Sequence, residues 1–388
     1  MSPRRRPRSF AVALLVAGVP FAGAAHADVV VELRGGGERV RASGATADLA
    51  GLTLRIAEPG SPEPGSRESG SPKPGSPERR EIVPWDFVRG IEGSTAVAGE
   101  YLEIGEDLWR ARIRVERGDA PFARALVARH WERLRGASGP TAALAAEVLL
   151  RCALEDLDLR AAAEPWLAVL RHREAGEPTR FPTLAPVVDE ATGLLPAFSP
   201  FVPLDRRADL AGALDAARGT GGDAPARIAS TLARIMRWTV DGAGAAPAAP
   251  ARDAAPAERA LGLLEAIVAA PDARDLTKAL VEFDRAFPEM PPFLGAWRLA
   301  AAGAQAARLA RATGGDADAR RLALERAALE LLAVPASGLD KTGLVDAYAL
   351  EEAEALLREA GDAESAAQLA ALRAERLGGP AAAGAPSE

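Results

Sequence analysis

Four times in this chain the tripeptide Gly-Asp-Ala stands between two alanine-, leucine- and arginine-rich runs: Gly118-Asp119-Ala120, Gly222-Asp223-Ala224, Gly315-Asp316-Ala317 and Gly361-Asp362-Ala363. A glycine can end a helix in the left-handed conformation, and an aspartate after it can cap the first free N–H groups of the next helix. Each tripeptide is therefore expected to be the turn of a helical hairpin. A chain built from such hairpins can bury its apolar stripes only by stacking one helix on the next.

Helical spacing begins near Val97. Tyr101, Ile104, Leu108 and Trp109 form one stripe, Phe122, Leu126 and Leu134 a second, and Leu144, Val148, Leu149 and Cys152 a third. Asp158 is the expected cap of a fourth helix over 161–171, in which Pro165 implies a late start or a kink. Residues 97–174 thus read as a first array of two hairpins. Residues 175–204 carry six prolines together with Phe181, Leu184, Val187, Val188, Leu194, Leu195, Phe198, Phe201 and Val202. So much apolar surface predicts an ordered segment crossing the helices, with a lid or a groove-filling role as its functional alternative. A helical segment over 205–241, a flexible Ala/Pro linker over 242–256, a second array over 257–377 and a disordered tail over 378–388 complete the reading.

Ahead of the helices the period is two. Val29, Val31 and Leu33 alternate with polar neighbours, Val40 starts a return strand, Leu52, Leu54 and Ile56 alternate again, and Ile82-Val83 and Val88 to Ile91 flank Pro84-Trp85-Asp86. Five short strands over 28–95 suit a small closed barrel. The barrel is interrupted over 58–79 by a Pro/Gly/Ser tract repeating in fives, which has no apolar residue to offset its ordering entropy and is expected to be disordered.

Residues 1–27 have the form of a cleaved export signal: Arg4, Arg5, Arg6 and Arg8, then an apolar run from Phe10 to Val19, then Ala25-His26-Ala27. Removing them leaves 43 basic against 54 acidic residues, a formal net charge of −11. That charge argues against nucleic acid or an anionic membrane as partner, and no stable membrane insertion is expected after cleavage. Localisation is expected to be periplasmic or secreted. Only three of the 47 basic residues are lysines, and with the alanine excess this points to a GC-rich bacterial genome. Cys152 stands alone, so no internal disulfide can form.

Chemical motifs are sparse. After cleavage only His130 and His172 remain, without metal-ligand spacing, and both are expected to be solvated near helix ends. Cys152 lies on an apolar stripe and is expected to be buried and inert. The acids at Glu100, Glu103, Glu106 and Asp107, and at Glu351, Glu352 and Glu354, repeat at helical spacing and are expected to form solvated faces. Phosphate-binding loop, nucleophile elbow and dinucleotide fingerprint are all absent. No catalytic, cofactor-binding or metal-ligating residue is therefore assigned, and no cofactor is expected. Of the six tryptophans, Trp85 falls in the strand region and Trp109, Trp131, Trp166, Trp238 and Trp297 in helices. They are expected in the core, with Trp109 and Trp131 packing across the first hairpin turn.

The helical part resembles tetratricopeptide-type repeats, most clearly at Gly361-Asp362 with Ala366 and at Gly118-Asp119 with Ala123. The turns are 104, 93 and 46 residues apart, not the repeat's regular ~34, so only the hairpin architecture and a concave interaction surface carry over. The strand region resembles small SH3-like or Sm-like barrels in fold alone. The resulting expectation is a mostly α protein: a tetratricopeptide-like array behind a small barrel, acting as a non-catalytic scaffold for proteins of the periplasm or cell envelope. The alternatives are a binding module for a small ligand, peptide or glycan, and an enzyme built from dispersed carboxylates.

Overall fold

The computed structural model describes residues 29–57, 78–93, 99–220, 222–241, 254–314 and 316–377. The export signal, most of the Pro/Gly/Ser tract, most of the Ala/Pro linker and the tail lie outside them.

The period-two region forms two three-stranded antiparallel sheets. In one, β1 (Val29–Leu33) lies between β2 (Arg39–Ala42) and β6 (Val88–Glu92). In the other, β4 (Leu52–Ala57) lies between β3 (Gly44–Ala47) and β5 (Glu78–Val83). Ser43 alone separates β2 from β3, and its N–H donates to the Arg55 carbonyl at 2.8 Å, so the chain passes from one sheet into the other at that residue. Val29 and Val31 of β1, Leu52 and Leu54 of β4, Trp85 and Val88 form a common core. Among the described residues six strands replace the five expected. The additional one, Gly-Ala-Thr-Ala, has no apolar alternation and is made a strand by its pairing, Ala45 opposite Leu54. The strand β5 also begins earlier than the expected loop end, because Arg79 and Arg80 pair with Ile56 and Arg55 of β4.

Twelve helices follow among the described residues: α1 (Gly99–Glu116), α2 (Ala120–Leu134), α3 (Pro140–Glu155), α4 (Leu159–Glu174), α5 (Leu204–Arg218), α6 (Ala224–Asp241), α7 (Pro256–Val268), α8 (Ala273–Ala286), α9 (Pro292–Ala312), α10 (Ala317–Ser337), α11 (Leu344–Ala360) and α12 (Ala363–Leu377). Each packs against the next in the chain, and several also touch the next but one. One apolar core runs without a break from Ala146 to Ala366.

At two of the four tripeptides the glycine ends its helix as expected, but only Asp362 also caps the next helix, accepting from Ser365 N at 3.0 Å; Asp119 makes no side-chain cap and accepts from Arg114 instead. Gly118 (φ +75°) and Gly361 (φ +87°) are left-handed, and the next N–H, of Asp119 and Asp362, reaches back five residues to Arg114 and Leu357 at 2.8 and 2.9 Å. At the second tripeptide the division of labour differs. Gly219 ends α5, three residues before Gly222, while Asp223 still caps α6 by accepting from Ala226 N at 2.9 Å. At the third, α9 has already stopped at Ala312, and Asp316 caps α10 by accepting from Asp318 N at 3.0 Å. The helix α4 starts on time at Leu159, capped by Asp158, and runs through Pro165. The stripe expected on α2 is rotated: Phe122 is 64% exposed under the Arg114 guanidinium, and Ala123, Val127, His130 and Leu134 face inward.

The sheets are joined to the helices through the short 3-10 turn Trp85–Phe87. Asp86 is fully buried there, 2.6 Å from Arg112 of α1 and 3.4 Å from Arg180 of the crossing segment. Both guanidiniums also lie over the Phe87 ring. Trp85 stacks on Tyr101 at 5.1 Å, its backbone N–H donates to Thr141 Oγ1, and its indole donates to the Asp48 carbonyl. Gly105 is required here, because a Cβ at that position would run into the Trp85 carbonyl. Burial pushes the Asp86 carboxyl above its ordinary range, against the pull of Arg112 and Arg180.

Replacing Asp86 by alanine leaves two cations facing each other in a dry joint. The D86A variant is expected to lose about 3 kcal/mol of unfolding free energy, measured by denaturant titration; a loss below about 1 kcal/mol would show the joint to be solvated.

Candidate functional site

The expected solvated acids divide by which side of their helix they occupy. On α1, Glu100 and Glu103 pair with Arg133 and Arg129 at the surface, while the half-buried Glu106 pairs with Arg110 and with Arg34 beside β1. Asp107 does not: three residues after Ile104 and four before Ala111, it lies on the inward face and is buried. It accepts from Arg129 and lies 2.6 Å from His130 Nε2, so His130 is a buried link across the α1–α2 hairpin and not a solvated one. On α11, Glu352 pairs with Arg311 at 3.3 Å. Glu354 lies between Leu350 and Leu357 on the inward face, buried with Arg358 and Arg373 as its ion-pair partners. Cys152 is buried, its thiol donates to the Ala120 carbonyl, and burial pushes its pKa up to about 11. A thiol so placed is a poor nucleophile.

Trp85, Trp166 and Trp297 are fully buried. Trp109 and Trp131 do not pack on each other as expected. Trp109 turns toward the sheets, beneath the Arg34 guanidinium, and Trp131 donates to Glu164 of α4 at 3.1 Å.

The crossing segment creates a first cavity. Its start is tied to α3 by Glu147, whose carboxylate accepts from Thr179 Oγ1 at 2.9 Å, Arg180 N at 2.8 Å and Arg151 at 3.0 Å. Farther on, Asp189 accepts from Thr192 N and Thr192 Oγ1 and closes a turn, while Arg173 donates to the Glu190 carbonyl at 3.2 Å. Phe198 then meets Trp166 edge-on at 4.9 Å, and Phe201 comes within 5.7 Å of the Tyr348 ring on α11. Between these ties the backbone arches over α3 and α4 and leaves a cavity of about 310 Å³. Its walls are Ala143, Val169, Pro178, Pro186, Val187 and Val188.

His172 lines that cavity and corrects the expectation of a solvated ring: it is buried and has no hydrogen-bond partner among the described residues. Burial, reinforced by the neighbouring Arg171 charge, lowers its pKa and holds the ring neutral. Its position three residues after Val169 and seven after Pro165, both buried, is the sequence signal that would have found it.

The second cavity, about 660 Å³, lies where the α3–α4 turn, the start of α5 and the α11–α12 pair converge. Arg206, Arg373, Arg376, Asp205 and Asp346 give it a charged lining. Asp346 accepts from Arg376 through one oxygen at 3.1 Å, and the other oxygen is buried without a partner. Burial, with Asp340 nearby, raises its pKa. Leu157 stands at the edge of this cavity, 61% exposed and at φ +53°, the one non-glycine residue with positive φ among the described residues. It takes the left-handed place that glycine takes at 118 and 361, since the Asp158 N–H reaches back to Ala153 at 2.8 Å.

A histidine with a lowered folded pKa binds its proton more readily in the unfolded chain, so its contribution is lost as pH falls below about 6.5. Thermal unfolding across that range is expected to show a steeper acid-side decline in the parent chain than in H172N. Parallel curves would mean that the ring titrates normally. Neither a protein-family model, a curated protein nor a solved structure matches the chain, which leaves the geometry of the structure as the guide to function.

Proposed function

We propose that the chain is an exported, non-catalytic scaffold that holds a protein of the periplasm or cell envelope on a tetratricopeptide-like helical surface. In this reading the signal is cleaved after Ala27, and the two small sheets close into an SH3-like barrel that serves as a rigid appendage. Three features support the helical part: neighbour-on-neighbour packing, Schellman turns at Gly118 and Gly361, and Ala123 and Ala366 buried just after those turns.

The single observation that carries the reading is Leu157. A left-handed leucine costs about 1 kcal/mol relative to glycine and here leaves most of an apolar side chain in water. The turn holds that strain in place, and strained residues cluster at binding clamps and functional sites. An exposed apolar anchor ringed by Arg206, Arg373 and Asp205 has the composition of a protein-docking centre, an apolar contact within a polar rim.

Two substitutions separate stability from binding. L157G is expected to raise unfolding free energy by about 1 kcal/mol by removing the strain, and to weaken capture of envelope proteins by cross-linking in intact cells. L157D is expected to abolish capture through this surface. Undiminished cross-linking to the same proteins in both variants would overturn the assignment of the docking centre, and absence of any partner for the parent chain would overturn the scaffold reading.

A further inference from the structure

The cavity under the crossing segment has no part in docking at Leu157, and its chemistry is of a different kind. A volume of about 310 Å³ is at the small end for ligand pockets, enough for a compact organic molecule and too little for a folded segment. The wall is made by Val169, Val187, Val188, Pro178 and Pro186, so the body of an occupant must be apolar.

Polar groups at the cavity select what the other end of that body can be. Glu147 is already satisfied by Arg151, Thr179 and the Arg180 N–H. Glu177 and Glu190, both on the crossing segment and both lining the cavity, have no side-chain partner among the described residues. Arg173 lines it too, with its guanidinium donating to the Glu190 carbonyl. A carboxylate ligand would therefore meet two unpaired carboxylates and a neutral imidazole against the single Arg173 guanidinium, which is already tied to the Glu190 carbonyl. An ammonium group would meet two counter-charges, and the neutral His172 ring would offer it an acceptor nitrogen.

We infer that this cavity binds a small amphipathic amine, its apolar body between Val169 and Val188 and its ammonium group at Glu177, Glu190 and His172. Binding is independent of whether the array also holds a protein partner. The same chemistry is available from a free aryl or alkyl amine and from the unblocked N-terminus of a peptide that begins with an apolar residue.

Acid weakens the complex. The charged groups facing His172 are Arg171 and Arg173 on α4, Glu147 on α3, and Glu177 and Glu190 on the crossing segment. Protonating the ring adds a cation beside Arg171 and turns the acceptor nitrogen into a donor, so an ammonium ligand is displaced.

The test is isothermal titration of the purified chain with three near-isosteric probes: phenethylamine, 3-phenylpropionate and 3-phenylpropanol. Phenethylamine is expected to bind at least about tenfold more tightly than the other two near neutral pH, and to weaken as acid protonates the His172 ring, below the ordinary histidine range. The double variant E177Q/E190Q alters unpaired side chains only, so it should fold as the parent does and lose that preference by about tenfold. A143L, which narrows the cavity from the α3 side, should weaken all three probes together. A fourth probe, a tripeptide with a free N-terminal phenylalanine, assigns the source: tighter binding than phenethylamine points to a peptide terminus, weaker binding to a free amine. Equal affinity for the amine and the carboxylate would overturn the proposal. So would a preference unchanged in E177Q/E190Q, or no heat from any probe at millimolar concentration.

Discussion

The joint at Asp86 is the constraint on which the rest of the molecule depends. A carboxylate taken wholly out of water survives only if its counter-charges come with it. Here they come from two elements far apart in sequence, Arg112 on α1 and Arg180 on the crossing segment. One ion triad therefore fixes the sheets, the first helix and the start of the proline-rich passage against each other. The neighbouring Trp85 contacts add Thr141 of α3 and the Asp48 carbonyl to the same point. The origin of the crossing segment is set by this joint and by Glu147 of α3, which hold the Arg180 side chain and backbone N–H respectively, and its arch over α3 and α4 follows from where it is tied.

That arch explains why the first cavity exists. Close-packed helices leave little space, whereas a chain rich in proline has few N–H groups to donate and cannot continue the helical ladder across them. It spans α4 with valines facing inward, is anchored again by Phe198 and Phe201, and encloses a volume that side chains of the helices do not fill. The second cavity has another origin. It is what remains when the last helical pair returns to the start of α5, bringing Tyr348 beneath Phe201 and Arg207.

Much of the framework was legible in the residues. The alternation of Val29, Val31, Leu52 and Leu54, the capping by Asp158 and Asp223, the burial of Cys152 and the ordered character of 175–204 all follow from local pattern and chemistry. Errors arose where a residue's type and its face gave opposite signals. Asp107, Glu354, His130 and His172 are polar residues on inward faces, and expectation followed polarity. Phe122 is the converse, an aromatic residue left outside because alanines let α2 pack with the Ala123, Val127 and Leu134 face. Leu157 could not be recognised in advance, since its left-handed backbone is imposed by the turn and is foreign to its residue type.

The sequence by itself determined the class of structure: a short two-period region, then helices separated by glycine and aspartate, then the break of pattern at the prolines. These are local properties, set by side-chain periodicity and backbone preference over a few residues. Tertiary structure alone decided which charges were buried and which spaces stayed open. Both depend on pairs such as Asp86 with Arg180, Glu147 with Thr179 and Phe201 with Tyr348, whose partners are set by how helices stack and not by anything within a helix turn of either residue.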